Sequence, residues 1–152
     1  MGKVETKPDL HQALEDFENL LETPIIPGEL PEWCQSAQSN CVTVQESLLK
    51  KLKDHVSIYK QIELEDPSLE SHVLTMRAED ERLRTESEHF LSEFTRAAAT
   101  AEIAEPNEGL VEQLAGEIAD RAIQFIIAIR KQEHAVATWY IEALERDRGD
   151  KD

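Results

Sequence analysis

The chain contains few cysteines, the residues whose disulfides stabilise many small secreted proteins. Of its 152 residues, only two are cysteines. Cys34 and Cys41 are seven residues apart on one predicted helix, which separates them by roughly 10 Å along its axis, beyond the reach of a disulfide. We therefore expect two buried thiols that act as small apolar residues, in a reducing compartment, the cytoplasm.

The sequence motifs typical of common enzyme families are missing as well. The sequence has no glycine-rich phosphate loop, no nucleophile elbow, no His-Glu-x-x-His and no Cys-x-x-Cys. Glu79, Asp80 and Glu81 are consecutive acids on a predicted helix, so their side chains point in different directions and do not form a catalytic pair. We expect a protein that is not an enzyme.

Long apolar runs are absent, and basic residues are few. No stretch approaches the length of a membrane span, and the first residues lack the apolar core of a signal peptide. Lys and Arg number 16 against 32 Asp and Glu, which gives a formal charge of −16. This charge repels phosphate backbones and anionic lipids, so neither nucleic acid nor a membrane is expected as a partner.

What the sequence does contain is a repeat of apolar residues every three or four positions. Together with a hydrophobic content of 40%, this repeat indicates a folded domain rather than a disordered chain. The last segment, 107 to 147, shows it most clearly, and only Gln132 interrupts its apolar face. The apolar members of that face are Val111, Leu114, Ile118, Ala122, Phe125, Ile129, Val136, Trp139 and Ala143.

Proline and glycine set the boundaries of the predicted helices. A short helix is predicted from Pro8 to Glu22, and the prolines and glycine between Thr23 and Leu30 make a stiff connector. The second helix is predicted from Pro31 to about Glu63, with Val56 on its buried face and His55 at the edge of that face. The third begins at Asp66-Pro67, with the aspartate as N-cap, and runs to about Ala101.

Short connectors make consecutive helices antiparallel neighbours. The sequence therefore predicts an all-α fold, an antiparallel up-down-up-down four-helix bundle with a short first helix. It would form one domain over residues 1–152, with flexible ends at 1–7 and 148–152.

The first helix is too short for its groove. It would be little more than about 20 Å long, whereas the other three would reach roughly 50 to 60 Å. Either the connector after Glu22 or a second copy of the chain would have to cover the remaining apolar surface. Long exposed apolar grooves are rare in monomers, which favours a homodimer.

Polar residues at interior positions form the candidate site. Four-helix bundles build metal centres from inward-pointing histidines and carboxylates at one level. Folding the chain about turns near Glu65 and Ala104 places His55, His72, Met76 and Gln132 in one layer, with Asp80 one turn away. The candidate metal ligands, for one iron or zinc ion, are His55, His72, Asp80 and Gln132.

A structural role is the alternative for each of these residues. A histidine inside a bundle is more often a hydrogen-bonded structural residue than a ligand. Asp80 would need a partner, Arg121 or the amide of Gln132, because an unpaired buried carboxylate protonates or destabilises the fold.

Several groups of residues along the chain resemble the hemerythrin-like (HHE cation-binding) bundle proteins of bacteria. They are His55 to Tyr59, Glu65 to Leu69, Glu81 to Ser87, Gln132-Glu133 and Glu142 to Gly149. Their order, and an ending of the type Glu-Ala-x-x-x-Asp-x-Gly, are similar to those of the family. The resemblance covers residues 30 to 152.

This resemblance implies a non-haem di-iron centre, used for oxygen carriage or for sensing oxygen and iron. His55 stands at the place of the histidine in the family's His-x-x-x-Glu, but Tyr59 replaces the glutamate. Ser87, Gln132 and Val136 stand where other ligands are implied. We therefore expect a non-enzymatic bundle that has lost its di-iron site, carries no cofactor and acts as an interaction or structural module. The alternative is a metal-binding protein with a reduced, non-standard site.

Overall fold

A computed structural model describes residues 8–103 and 108–149 of the chain. Within these ranges the regular structure is entirely helical: α1 (Leu10–Glu22), α2 (Leu30–Glu65), α3 (Glu70–Glu102) and α4 (Glu108–Gly149), with a short 3-10 helix at Pro67–Leu69. The predicted all-α class with a short first helix is confirmed. Of the predicted flexible ends, 1–7 and 150–152 lie outside the described residues, as does the predicted start of the fourth helix at Asn107.

Aspartate side chains cap two of the helix starts. The Asp9 carboxylate accepts a hydrogen bond from the Gln12 amide at 2.8 Å, which satisfies one of the free N–H groups in the first turn of α1. Asp66 accepts from the Ser68 amide at 3.1 Å, so its predicted capping role is confirmed. Gly28, in the connector between α1 and α2, has a φ of 88°, a conformation that side chains with a Cβ disfavour.

Buried side chains form two separate apolar clusters. The larger contains residues of all four helices, including Phe17 of α1. The smaller is built from α2, the 3-10 helix, α3 and α4, and its members are Tyr59, Ile62, Leu69, Val73, Met76, Val136 and Ala143. None of these is an α1 residue, so within the described part of the chain four helices surround one cluster and three surround the other.

Among the described residues, the short first helix leaves a groove open. Beyond its N-terminal end, a groove of about 950 Å³ lies between α2 and α4, with Leu14, Lys51 and Glu133 among its lining residues. The connector after Glu22 lies at the opposite end of α1, where Ile25 and Trp33 line a separate pocket. The connector therefore does not cover this groove. No described helix has an apolar stretch long enough to cross a bilayer.

Both cysteines are free and buried, as predicted. Burial raises the pKa of the Cys34 thiol to about 11 and that of the Cys41 thiol to about 12. Because the thiolate is the reactive form, both side chains stay neutral and inert near pH 7.

The predicted buried face is wrong in two places. Val56 is 49% exposed, and His55 is buried in its place. Leu114 is also exposed, whereas Ala115 is buried. In both stretches the interior face is displaced by one residue, because a face that follows 3.6 residues per turn drifts away from any fixed alternation of threes and fours.

Phe17 is the residue that anchors α1. Its ring is fully buried and meets the ring of Phe94 edge to face, with 5.8 Å between centroids. We expect Phe17→Ala to lower the free energy of unfolding by about 3 to 5 kcal/mol, the cost of an unfilled aromatic cavity. Denaturant titration would measure it. Leu64→Ala is the control, because Leu64 is 79% exposed and its truncation should change stability little; equal losses would contradict the anchoring role.

Candidate functional site

A group of polar side chains separates the two apolar clusters. We call it the polar cluster, and its members are His55 and Tyr59 of α2, Asp80 of α3, and Gln132 and Glu133 of α4. His55 is 1% exposed and Gln132 is 5% exposed. Burying such groups is costly unless each finds a partner, so their contacts decide what the site can do.

The His55 ring lies between two carboxylates. Its Nδ1 donates to Asp80 Oδ2 at 3.0 Å. Its Nε2 lies 2.7 Å from Glu133 Oε1, but that oxygen lies off the line of the N–H bond, which leaves Nε2 without a well-aligned acceptor. Burial alone lowers the pKa of His55, but the contacts with Asp80 and Glu133 outweigh it and raise the pKa to about 9. His55 is therefore a charged imidazolium at neutral pH.

Asp80 is the acceptor on which the cluster converges. Besides His55, it accepts from the Tyr59 hydroxyl at 2.9 Å and from Gln132 Nε2 at 2.7 Å. Burial, followed by the contact with the Asp80 carboxylate, raises the pKa of Tyr59 above its ordinary value. The phenol thus keeps its proton and acts as a hydrogen-bond donor.

Gln132 ties α4 to the backbone of α3. Its Nε2 also donates to the carbonyl oxygen of Met76 at 2.8 Å. The predicted pairing of Asp80 with Gln132 is confirmed, and Gln132 contacts Met76, with which it was predicted to be level. His55, which was predicted to be level with Met76, instead contacts Asp80, one turn further along α3. The alternative partner of Asp80, Arg121, instead contacts Glu93 at 3.0 Å.

Three of the four predicted site residues meet, and the fourth lies elsewhere. His55, Asp80 and Gln132 belong to the polar cluster, whereas His72 is exposed and stacks on Trp139, with 3.9 Å between ring centroids. Ser87 does not contact the cluster either. Its hydroxyl donates to the Arg84 carbonyl of its own helix at 2.7 Å.

Sequence reasoning missed two members of the cluster. Tyr59 lies one turn after His55 on the same face, and a buried phenol needs an acceptor. The sequence therefore contained enough information to place Tyr59 in the cluster. Glu133 follows the interior position Gln132, and adjacent helical residues point in different directions. Only the arrangement of α2 beside α4 brings its carboxylate to His55.

The polar cluster is connected to solvent through Glu133. Its side chain is 29% exposed and lies 3.7 Å from Lys51. Both residues line the open groove beyond α1. Among the described residues, the side of the cluster on which a fourth helix would pack in a full-length bundle therefore borders that groove.

The cluster does not fit a di-iron centre. Within residues 8–103 and 108–149, no three His, Cys, Asp or Glu side chains are grouped so that they could hold one metal ion. The two carboxylates flank opposite nitrogens of the same ring, so they do not converge on a common point. A phenol and an amide complete the set, and neither is a bridging ligand of the kind that a carboxylate provides.

Comparison with family models, with curated proteins and with solved structures found no match. The resemblance to hemerythrin-like proteins therefore depends on the helix-borne residues named above.

Removing the charge of Asp80 tests its central role. We expect Asp80→Asn to lower the free energy of unfolding by about 3 kcal/mol, because it leaves a buried imidazolium with only one carboxylate. Glu81→Gln is the matched control, since Glu81 forms an exposed pair with Arg84, and such pairs contribute roughly 1 kcal/mol or less. Chemical denaturation would compare the two, and equal effects would contradict the role assigned to Asp80.

The pKa of His55 predicts how stability depends on pH. The folded protein holds this proton up to a pKa of about 9, whereas an ordinary histidine has a pKa of 6.5. The stabilisation is therefore fully present below pH 6.5 and is lost as the pH rises through 9, by on the order of 3 kcal/mol. Unfolding titrations between pH 6 and 9 would measure the slope, which should be much weaker in His55→Gln.

Proposed function

We propose that the chain is a non-enzymatic helical bundle of hemerythrin-like descent, in which the polar cluster stands where the family's di-iron centre is implied. The protein would act as an interaction or structural module. In this proposal the polar cluster holds the helices in position, and the outer surface of the bundle binds the partner.

The observation that carries the proposal is the state of the His55 ring. A metal ion binds a ring nitrogen through its lone pair, yet both nitrogens of His55 face carboxylates, at 3.0 Å and 2.7 Å. With a pKa of about 9, the ring carries two protons near pH 7 and has no free lone pair. His55 thus behaves as a cation that two acids hold, rather than as a ligand.

The up-down-up-down arrangement belongs to the same proposal. Its support is the order of the contacts between α2 and α3, in which later residues of α2 meet earlier residues of α3: Gln35 with Glu102, Gln38 with Thr95, His55 with Asp80 and Glu63 with Arg77. Buried polar groups that pair only in one register can select that register over shifted alternatives. The polar cluster would do this for α2, α3 and α4.

The alternative is a metal-binding protein with a reduced site centred on His55 and Asp80. What favours it is that two carboxylates lie within 3.0 Å of the imidazole nitrogens of His55. Any metal would have to displace the proton from a ring with a pKa of about 9. It would also have to do so without His72, which stacks on Trp139.

A homodimer in the cytoplasm completes the proposal. Two neutral thiols without a disulfide suit a reducing compartment. The groove beyond α1, which no described residue covers, and the exposed apolar residues of α2 leave surface for a second copy.

The protonation state of His55 tests the proposal directly. Nitrogen-15 NMR of protein purified without chelator or affinity tag should show both His55 nitrogens protonated at pH 7, and metal analysis should find no stoichiometric iron or zinc. His55→Gln identifies the signals and serves as the control. A bound metal in the wild-type protein that is absent in His55→Gln would support the alternative instead.

A further inference from the structure

A stripe of apolar side chains lies on the outer surface of α2. Val42, Leu49 and Val56 repeat every seven residues and are 36%, 40% and 49% exposed. Residues seven apart lie on nearly the same side of a helix, and the stripe is about 21 Å long. We call it the α2 stripe. The buried face of α2 uses other positions, among them Leu48 and His55, so the stripe is not part of the interior.

The charges beside the stripe are placed symmetrically about its centre. Glu46 lies three residues before Leu49, and Lys53 lies four residues after it, on the same flank of the helix. Within residues 8–103 and 108–149, Lys53 has no carboxylate within 4.0 Å. An unpaired lysine beside exposed apolar groups is notable in a chain with a formal charge of −16.

We propose that the α2 stripe is the dimer interface, and that it pairs with the α2 stripe of a second copy in antiparallel orientation. A two-fold axis at Leu49 places this residue against itself and Val42 against Val56. The same axis places Glu46 opposite Lys53, twice in the dimer, because residues on one flank of antiparallel helices meet each other. This inference rests on the homodimer of the proposed function and adds its face and orientation.

The self-complementary order of charges is what selects a second copy as the occupant. A two-fold interface must match its own surface, residue for residue. Glu46 and Lys53 meet that requirement because each lies opposite the other across the two-fold axis, and opposite charges across an interface fix its register. Closing the interface removes the three apolar side chains of each copy from water, which favours association.

A charge on the two-fold axis should abolish the dimer. In Leu49→Glu two carboxylates would meet at the centre of the interface. Leu74→Glu is the matched control, because Leu74 is 59% exposed on α3 and lies off the stripe. Sedimentation equilibrium of the full chain should show a dimer for the wild type and for Leu74→Glu, and a monomer for Leu49→Glu.

Charge reversal tests the orientation. Glu46→Lys alone sets lysine against lysine, and Lys53→Glu alone sets carboxylate against carboxylate, so each should raise the dissociation constant by about tenfold or more. An equal mixture of the two variants restores both pairs, as does the double variant Glu46→Lys/Lys53→Glu. Both should return to a dissociation constant close to that of the wild type, with unchanged helix content by circular dichroism.

The outcomes separate this inference from the rest of the proposed function. A wild-type monomer would overturn the dimer and its face together, but it would leave the prediction for the His55 nitrogens untouched. A dimer that survives Leu49→Glu would keep the homodimer and overturn the α2 stripe as its interface. Failure of the mixture to recover would overturn the antiparallel orientation.

Discussion

The structure depends on one buried cation held by two acids. His55 sits in the interior of the chain, with Asp80 at 3.0 Å from one ring nitrogen and Glu133 at 2.7 Å from the other. Burial lowers the pKa of His55 and so disfavours the charged ring, but the two carboxylates raise the pKa and keep the ring charged. Because the three residues come from α2, α3 and α4, any shift of one helix along another would leave a buried charge without its partner, which costs several kcal/mol. The packing of the two apolar clusters on either side of His55 therefore depends on the alignment of the helices at this residue.

The polar cluster also marks the place where the architecture changes. On one side of it four helices enclose a large apolar cluster, and on the other side three helices enclose a small one. Among the described residues, α1 does not extend to this level, and Glu133 lines the groove beyond the N-terminal end of α1. A site that drew ligands from four helices would lack one of them in this part of the chain. The same geometry lets Glu133 remain partly hydrated while its oxygen contacts the buried ring, which reduces the cost of keeping the charge inside.

In the proposed function, the polar cluster stabilises the interior and the surface of the bundle binds the partner. The phenol, amide and imidazolium all donate, and Asp80 accepts from each of them. On the outside, α2 carries apolar residues flanked by charges of opposite sign, whereas its inner face holds the polar cluster. α2 thus contributes one face to the core and a different face to the proposed contact with a second copy.

The sequence by itself determined the helical class, the approximate helix boundaries, the cap at Asp66 and the contact of Gln132 with Met76, because these follow from local chemistry and from counting residues about turns. It did not determine which residue of an adjacent pair faces inward. His55 and Val56 differ by one position, and the choice between them is made by partners on other helices, Asp80 and Glu133. For the same reason His72, which fits the predicted site by spacing, lies instead against Trp139. Tertiary structure alone decided these points, since the energy of a buried charge depends on groups far away in the chain.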